Sequence, residues 1–121
     1  SSKQLKGQSG ERLAEDYLCK RGLKLLTRNY HCRQGEVDLI MELGSEIIFV
    51  EVRSRGPGSL AGAAESVTPA KQRKLSLAAL HYLDEHKLHQ NHCRFDVVAI
   101  TVQNNGKAEV EWLTNAFEAH T

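Results

Sequence analysis

Apolar residues recur at helical spacing in two segments of the chain. The first segment predicts a helix over residues 10–21, with Ser9 as its N-cap. The second predicts a helix over residues 69–86, where Thr68 is the N-cap and a proline occupies the first helical position. The apolar stripes of the two helices are Leu13, Ala14, Tyr17 and Leu18, and Leu75, Ala78, Ala79, Tyr82 and Leu83. Each helix therefore has one face suited to packing against a sheet.

Shorter runs with the apolar pattern of β-strands fill most of the remaining chain. They predict strands over residues 23–32, 37–43, 47–52, 95–102 and 108–113. Turn-forming residues lie between several of them, at Gln34-Gly35, Gly44-Ser45 and Asn104-Asn105-Gly106. The glycine-bearing segment 54–66 is predicted to be a flexible surface loop, and residues 115–120 a short terminal helix.

The predicted element order is α-β-β-β-α-β-β, which favours a mixed central β-sheet flanked by helices in a single α/β domain over residues 1–121. The composition, 40% hydrophobic and 26% charged, is typical of a globular protein. No run approaches the ~20 apolar residues of a membrane helix, so we expect no membrane association. Three irregularly spaced cysteines and the absence of a secretory pattern predict a reducing, cytoplasmic location.

Basic residues are concentrated in two segments although the formal net charge is only +1. The segment from Lys20 to Arg33 contains five basic residues and no acid, and the segment from Arg53 to Lys74 contains five basic residues and one acid. A polyanion such as nucleic acid could use both segments. The alternative, which is more common for charge runs, is a solvated helix face and loop.

The central predicted hairpin brings two acids together. If Gly44-Ser45 is its turn, residues whose numbers sum to 89 face each other, and Asp38 lies opposite Glu51. Opposed residues of an antiparallel pair have Cβ atoms ~5 Å apart on the same face. A one-residue slip in register would place the two carboxylates on opposite faces.

Two like charges this close, among largely apolar strand residues, need a cation or a shared proton. Mg²⁺ or Mn²⁺ meets that need, because Mg²⁺ commonly takes one or two carboxylates and keeps several waters. The alternative is a salt-bridge network that pairs Asp38 and Glu51 with Arg28, Arg53 or Lys71. The hairpin geometry alone leaves both interpretations open.

Two further charged residues extend the apolar stripes of the predicted helices. Glu11 continues the first stripe and Lys71 the second, so both could converge on the hairpin acids. A glutamate in the first turn is favoured by the helix dipole, which gives Glu11 an ordinary explanation as well. The dipole disfavours Lys71, so that residue is the more informative one. Asp96, inside an apolar strand, is interpreted as structural.

The motifs of the chain resemble those of the bacterial YraN family and, more widely, the PD-(D/E)XK core of restriction-endonuclease-like nucleases. The motifs are Gly10-Glu11, Arg28-Asn29-Tyr30, Gly35-Glu36-Val37-Asp38-Leu39-Ile40, Phe49-Val50-Glu51-Val52-Arg53, Val67-Thr68, Lys71-Gln72 and Arg94-Phe95-Asp96-Val97-Val98. This resemblance implies a restriction-endonuclease-like fold and a metal-dependent endonuclease acting on DNA, in particular branched DNA, or on RNA. The similar Holliday-junction resolvases work as dimers, which implies a homodimer.

The resemblance also implies roles for individual residues. Asp38, Glu51 and the Val52 carbonyl would hold Mg²⁺ or Mn²⁺, with support from Glu11. Catalytic roles near the phosphate would fall to Arg53, Lys71 and Gln72. The residues expected to contact flanking phosphates are Arg28, Arg55 and Arg73.

Two positions depart from the nuclease pattern: Val37 replaces the proline before Asp38, which is a mild change, and the second departure bears on catalysis. The lysine that follows the second acid of the pattern is Arg53 here. Arginine stays charged and can clamp a phosphate, but it cannot serve as a general base. The alternative function is therefore a catalytically inactive nucleic-acid-binding module that keeps the nuclease-like fold. A third interpretation is a structural or interaction domain without nucleic-acid binding.

Overall fold

The structure is a computed structural model that describes residues 2–58 and 62–120 of the 121-residue chain, with side chains from residue 10 onward. The elements are α1 (Ser2–Lys20), β1 (Lys24–Cys32), β2 (Gly35–Leu43), β3 (Glu46–Arg55), α2 (Pro69–Glu85), β4 (Cys93–Val102) and β5 (Ala108–Phe117). The predicted order of elements is confirmed.

The five strands form one mixed sheet in the order β1-β2-β3-β4-β5. Neighbouring strands are antiparallel except β3 and β4, which are parallel. A parallel pair needs a long crossover connection, and α2 lies in that connection. The predicted fold class, a mixed sheet flanked by helices, is confirmed.

The two helices cover opposite faces of the sheet. Residues of α1 pack in one core cluster with Leu39 and Ile48, whereas residues of α2 pack in a second cluster with Ile40 and Phe49. The central strands are therefore buried on both faces, which explains their nearly continuous apolar sequence. A polar residue within these strands must find a partner inside the protein.

The predicted start of the first helix is wrong. α1 begins at Ser2, so Ser9 lies within the helix and does not cap it. The residues before it include lysine, glutamine and leucine, which are good helix formers. Gly10 lies in the middle of α1 because the helix approaches β3 closely there. A Cβ at this position would come within 2.6 Å of the Ser54 hydroxyl oxygen.

The predicted terminal helix over residues 115–120 is also wrong, because β5 continues to Phe117. Phe117 pairs with Phe95 of β4, and their rings stack with centroids 4.9 Å apart. The Asn115 amide donates to Asp96 Oδ1 at 2.9 Å. Contacts with β4 therefore determine the secondary structure of this segment. The local sequence pattern does not indicate these contacts.

Several smaller boundaries differ from prediction, among them the first hairpin turn and the end of β3. The first hairpin turn occupies Arg33 and Gln34, and Gly35 already belongs to β2. β3 extends to Arg55, which pairs with Thr101, so the predicted loop 54–66 starts too early. Residues 59–61 of that loop lie outside the described residues. Residues 62–67 form a hydrogen-bonded turn.

Within the described part of the chain, neither helix is both long and apolar enough to cross a membrane. Cys19, Cys32 and Cys93 are free thiols.

Candidate functional site

Strand β2 changes face at Asp38. Leu39 and Met41 belong to the core cluster beneath α1. Strict alternation would place Val37 with them, but Val37 belongs to the cluster beneath α2. The change of face at Asp38 brings this carboxyl group within reach of groups on both sides of the sheet.

Asn29 explains how the neighbouring strand follows this change. It has a φ of 49°, a left-handed conformation that asparagine tolerates better than most residues. Asn29 lies opposite Asp38, because its two neighbours in β1 pair with the two neighbours of Asp38 in β2. Because of this conformation, β1 changes face at the same level of the sheet as β2, and the two strands stay paired on both sides of it.

The ladder between β2 and β3 confirms the predicted register. The five pairs from Leu39–Val50 to Leu43–Glu46 all have residue numbers that sum to 89. The described ladder ends at Leu39 and Val50, and beyond it the Val52 amide donates to Asp38 Oδ2 at 2.8 Å. A side chain thus takes the place of a backbone acceptor. This contact fixes the Asp38 carboxyl group at the point where the two strands separate.

Glu51 is a buried acid without a complete set of partners. Its residue is 6% exposed, and among the described residues its buried Oε2 atom has no hydrogen-bond partner. Burial, followed by a hydrogen bond and charge repulsion from Asp38, raises the pKa of Glu51 well above its ordinary value. Nearby Lys71 and Arg53 oppose that rise only in part. This rise in pKa favours the protonated form of the side chain, and the two neighbouring cations do not cancel it.

Glu11 approaches Asp38 from α1. Burial raises its pKa first, and the charge of Asp38 raises it further. A hydrogen bond from the Asn29 side chain acts in the opposite direction. The close contact of Gly10 with β3 sets the position of this helix turn. Asp38 therefore interacts with both Glu11 and Glu51, and these three residues are called the acid cluster.

Two cationic side chains border the cluster. Lys71 Nζ lies 3.9 Å from Glu51 Oε2, at the outer limit of an ion pair, and its side chain is 40% exposed. Arg53 Nε is buried, and the described residues provide no hydrogen-bond partner for it. Buried polar atoms in proteins are nearly always paired with protein, water or a ligand, so these two atoms mark a place for a water or a ligand.

The donor set suits a hard cation that keeps much of its own water. No three His, Cys, Asp or Glu side chains in residues 10–58 and 62–120 form a ready metal cage. Asp38 and Glu51 supply two carboxylates, which is the number that Mg²⁺ commonly takes from protein. A divalent ion would also relieve the repulsion between these two groups, so the residues fit the predicted ion.

Other residues predicted for the site are engaged elsewhere. The Gln72 amide donates to the Val67 carbonyl at 3.0 Å and its oxygen lies 2.8 Å from a His120 ring nitrogen. Arg28 makes two hydrogen bonds, of 2.6 and 2.9 Å, to Glu15 on α1.

The remaining two predicted phosphate contacts are Arg55, which has other partners, and Arg73, which is exposed. Arg55 donates to Thr101 at 3.0 Å and lies 4.0 Å from Glu111. Arg73 is exposed on α2. The structure therefore brings Glu11, Asp38, Glu51, Arg53 and Lys71 together and holds Gln72, Arg28 and Arg55 in other contacts.

Asn29 and Glu15 are the residues near the site that sequence reasoning missed. Asn29 sits inside a predicted strand, where a left-handed conformation is not expected, although its residue type permits one. Glu15 lies on the same helical face as Glu11, one turn later, and that spacing was the available signal.

Comparison with known proteins identifies the family. The model of the family described as "Uncharacterised protein family UPF0102" matches residues 10–100. The chain belongs to the UPF0102 (YraN) family. A UPF0102 protein of Nitrosococcus oceani is 50% identical over 117 residues, which cover 96% of this chain and 94% of that protein. A UPF0102 protein of Aeromonas hydrophila is 49% identical over 114 residues, covering 93% and 84%.

One solved structure is also similar to this UPF0102 protein. It is described as the structure of Pyrococcus furiosus SfsA in complex with Ca²⁺, with a TM-score of 0.47 and 11% sequence identity. The match covers 93% of this chain and 63% of the SfsA chain.

Proposed function

We propose that this UPF0102 protein is a metal-dependent nuclease that hydrolyses phosphodiester bonds of nucleic acid. The observation that carries the proposal is the buried Glu51 carboxyl group, which has an unpaired oxygen and lies against Asp38. A buried acid beside a second carboxyl group disfavours the fold unless a cation or a proton neutralises it. Acids whose pKa is shifted in this way are concentrated at functional sites.

Mg²⁺ or Mn²⁺ would be held by Asp38 and Glu51, with the Val52 carbonyl as a further ligand and Glu11 near its water shell. When bound, such an ion lowers the pKa of water and stabilises negative charge on a phosphodiester oxygen. The Val52 amide holds the Asp38 carboxyl group in place at 2.8 Å, so that ligand is positioned before an ion arrives.

The two cations at the border of the cluster would act on the phosphate. Arg53 carries a permanent charge and an unpaired buried Nε, which suits a group that clamps a phosphate oxygen. Lys71 lies at the exposed side of Glu51, where it would neutralise the negative charge of a nucleic-acid phosphate. Because Arg53 cannot accept a proton, activation of water depends on the metal and the carboxylates.

A cleavage assay tests this proposal. Wild-type protein is incubated with fluorescently labelled single-stranded DNA, branched DNA and RNA in Mn²⁺, and product is resolved by denaturing electrophoresis. We expect cleavage that drops on the order of 100-fold or more in Asp38→Asn and Glu51→Gln. Asp84→Asn is the matched control, because Asp84 is an acid of α2 whose side chain is 79% exposed.

Absence of cleavage by the wild type on all three substrates would contradict the nuclease proposal, as would equal cleavage by the wild type and both variants. The presence of Arg53 at the pattern's lysine position favours one second candidate, a nucleic-acid-binding module without catalysis. That candidate predicts salt-sensitive retention of DNA or RNA together with no cleavage.

A further inference from the structure

A groove of about 660 Å³ lies between the first hairpin turn and the beginning of α2. Its hairpin wall is formed by residues 31–36, and its helix wall by Thr68, Ala70, Lys71, Lys74 and Leu75. This volume falls in the range of clefts that bind small ligands, ~300–1,000 Å³. The groove is therefore wide enough for a nucleotide unit and too small to enclose a duplex.

The close contact of the hairpin with α2 limits the groove. A Cβ on Gly35 would lie 2.9 Å from the Lys74 carbonyl oxygen, so only glycine lets the two elements approach this far. Leu75 is buried and Cys32 half-buried, which gives the groove some apolar surface below its polar walls.

Basic side chains dominate the groove walls. Arg33 projects from the hairpin wall, and Lys71 and Lys74 from the helix wall. Among the side chains described, those of residues 10–58 and 62–120, neither Arg33 nor Lys74 has an acidic partner within ion-pair distance. The acid of the groove is Glu36, which lies 3.0 Å from His31 Nδ1.

These charges contrast with the arginines that sequence reasoning assigned to phosphate contacts. Arg28 and Arg55 are each held by partners in the protein. Arg33 and Lys74 are exposed and point to the same groove. An anion in the groove would meet these two side chains without displacing an acidic partner.

Lys71 connects the groove to the acid cluster. It lines the groove, and its Nζ lies 3.9 Å from Glu51 Oε2. An anionic chain that enters between Arg33 and Lys74 would therefore reach the candidate metal site past Lys71. Lys71 is thus shared by the groove and the acid cluster.

We propose that this groove binds the sugar-phosphate backbone of a single, unpaired polynucleotide strand and leads it to the acid cluster. The inference rests on the proposed function, and it names the substrate form as an unpaired strand or strand end. Arg33 and Lys74 contact phosphates that flank the bond at the metal site. Recognition of this kind is independent of base sequence, because it uses backbone charge alone.

Binding without metal tests the groove separately from catalysis. The affinity of the full chain for fluorescent oligo-dT is measured by anisotropy in EDTA at several salt concentrations. The test variant is Arg33→Gln/Lys74→Gln. Each lost phosphate contact lowers the salt slope by ~0.7 for single strands, so we expect the slope to fall by about 1.4 and the affinity to weaken.

The control variant is Lys87→Gln/Lys107→Gln, which removes two exposed lysines that do not line the groove. We expect its salt slope to equal that of the wild type. Oligo-U replaces oligo-dT in a second arm to distinguish RNA from DNA, and a duplex of matched length forms a third. The duplex should bind with less dependence on Arg33 and Lys74.

Three results would overturn the proposal: no binding of oligo-dT or oligo-U by the wild type, equal slopes for the groove variant and wild type, or an equal loss in the control variant. A negative result in this binding test would not decide the nuclease proposal, because binding is measured without metal and cleavage is measured separately in Mn²⁺. Conversely, if the wild type binds through the groove but does not cleave, the result supports the proposed strand binding and contradicts the proposed nuclease activity.

Discussion

Two buried acids on adjacent strands of the sheet, Asp96 and Glu51, have opposite surroundings. Asp96 is fully buried and accepts hydrogen bonds from three residues. These donors are the Arg94 guanidinium, Trp112 Nε1 at 2.8 Å and the Asn115 amide at 2.9 Å. Glu51 has instead a second carboxyl group as its close neighbour and one oxygen without a partner.

The difference between them separates a structural acid from a candidate functional one. A buried charge with full hydrogen bonding holds β4 and β5 together, because removal of the acid leaves several donors unpaired. A buried acid with a like-charged neighbour opposes folding in the absence of a cation. Burial alone therefore does not mark a site, whereas incomplete pairing of a buried acid does.

Replacement of Asp96 has the largest expected effect on stability. Breaking a buried ion pair typically costs about 3–5 kcal/mol. For Asp96→Asn we expect the free energy of unfolding to fall by about 3 kcal/mol, since Arg94 keeps its 3.0 Å contact with Glu46. Urea denaturation measures the change, with the exposed Asp84→Asn as control. A loss below about 1 kcal/mol would contradict the interpretation of Asp96 as an acid that stabilises the fold.

Replacement of Glu51 is expected to raise the free energy of unfolding, by less than replacement of Asp96 lowers it. The pKa of Glu51 is raised in the folded state, so its protonated form favours folding below the ordinary pKa of 4.5. That contribution is lost as the pH rises from 4.5 toward the raised pKa. In EDTA at pH 8, we expect Glu51→Gln to be more stable than the wild type by about 1–3 kcal/mol.

The pH profile of this variant separates its mechanism from a general packing change. The stability difference between Glu51→Gln and the wild type should shrink toward zero as the pH falls to 4. Glu109→Gln, a substitution at an exposed position of β5, serves as the matched control. A variant that is less stable than the wild type at pH 8 would mean that Glu51 already has a stabilising partner inside the protein.

Much of the candidate site could be predicted from local sequence. Gly44-Ser45 fixed the register of the central hairpin, because a two-residue turn leaves little freedom in the pairing. Thr68 caps α2 as expected, with its hydroxyl accepting from the Lys71 amide at 3.2 Å. These features depend on neighbours in the chain, so a reading of the sequence can find them.

The features that escaped prediction depend on contacts distant in sequence. The change of face at Asp38 requires the left-handed Asn29 on another strand, and no periodicity of β2 indicates it. Arg28 was expected at a phosphate, but its partner Glu15 comes from α1. The roles of these residues toward a metal or a nucleic acid stay predictions, as do the homodimer and the cytoplasmic location.

The most direct test of the central claim is the number of protons released when Mn²⁺ binds. Titration calorimetry at pH 7 in buffers of different ionisation enthalpy measures this number. We predict that the wild type binds Mn²⁺ and releases about one proton per ion, because the ion displaces the proton held by Glu51. Glu51→Gln should show no proton release, and Asp84→Asn should behave like the wild type. Absence of Mn²⁺ binding by the wild type, or the same proton release in Glu51→Gln, would contradict the account.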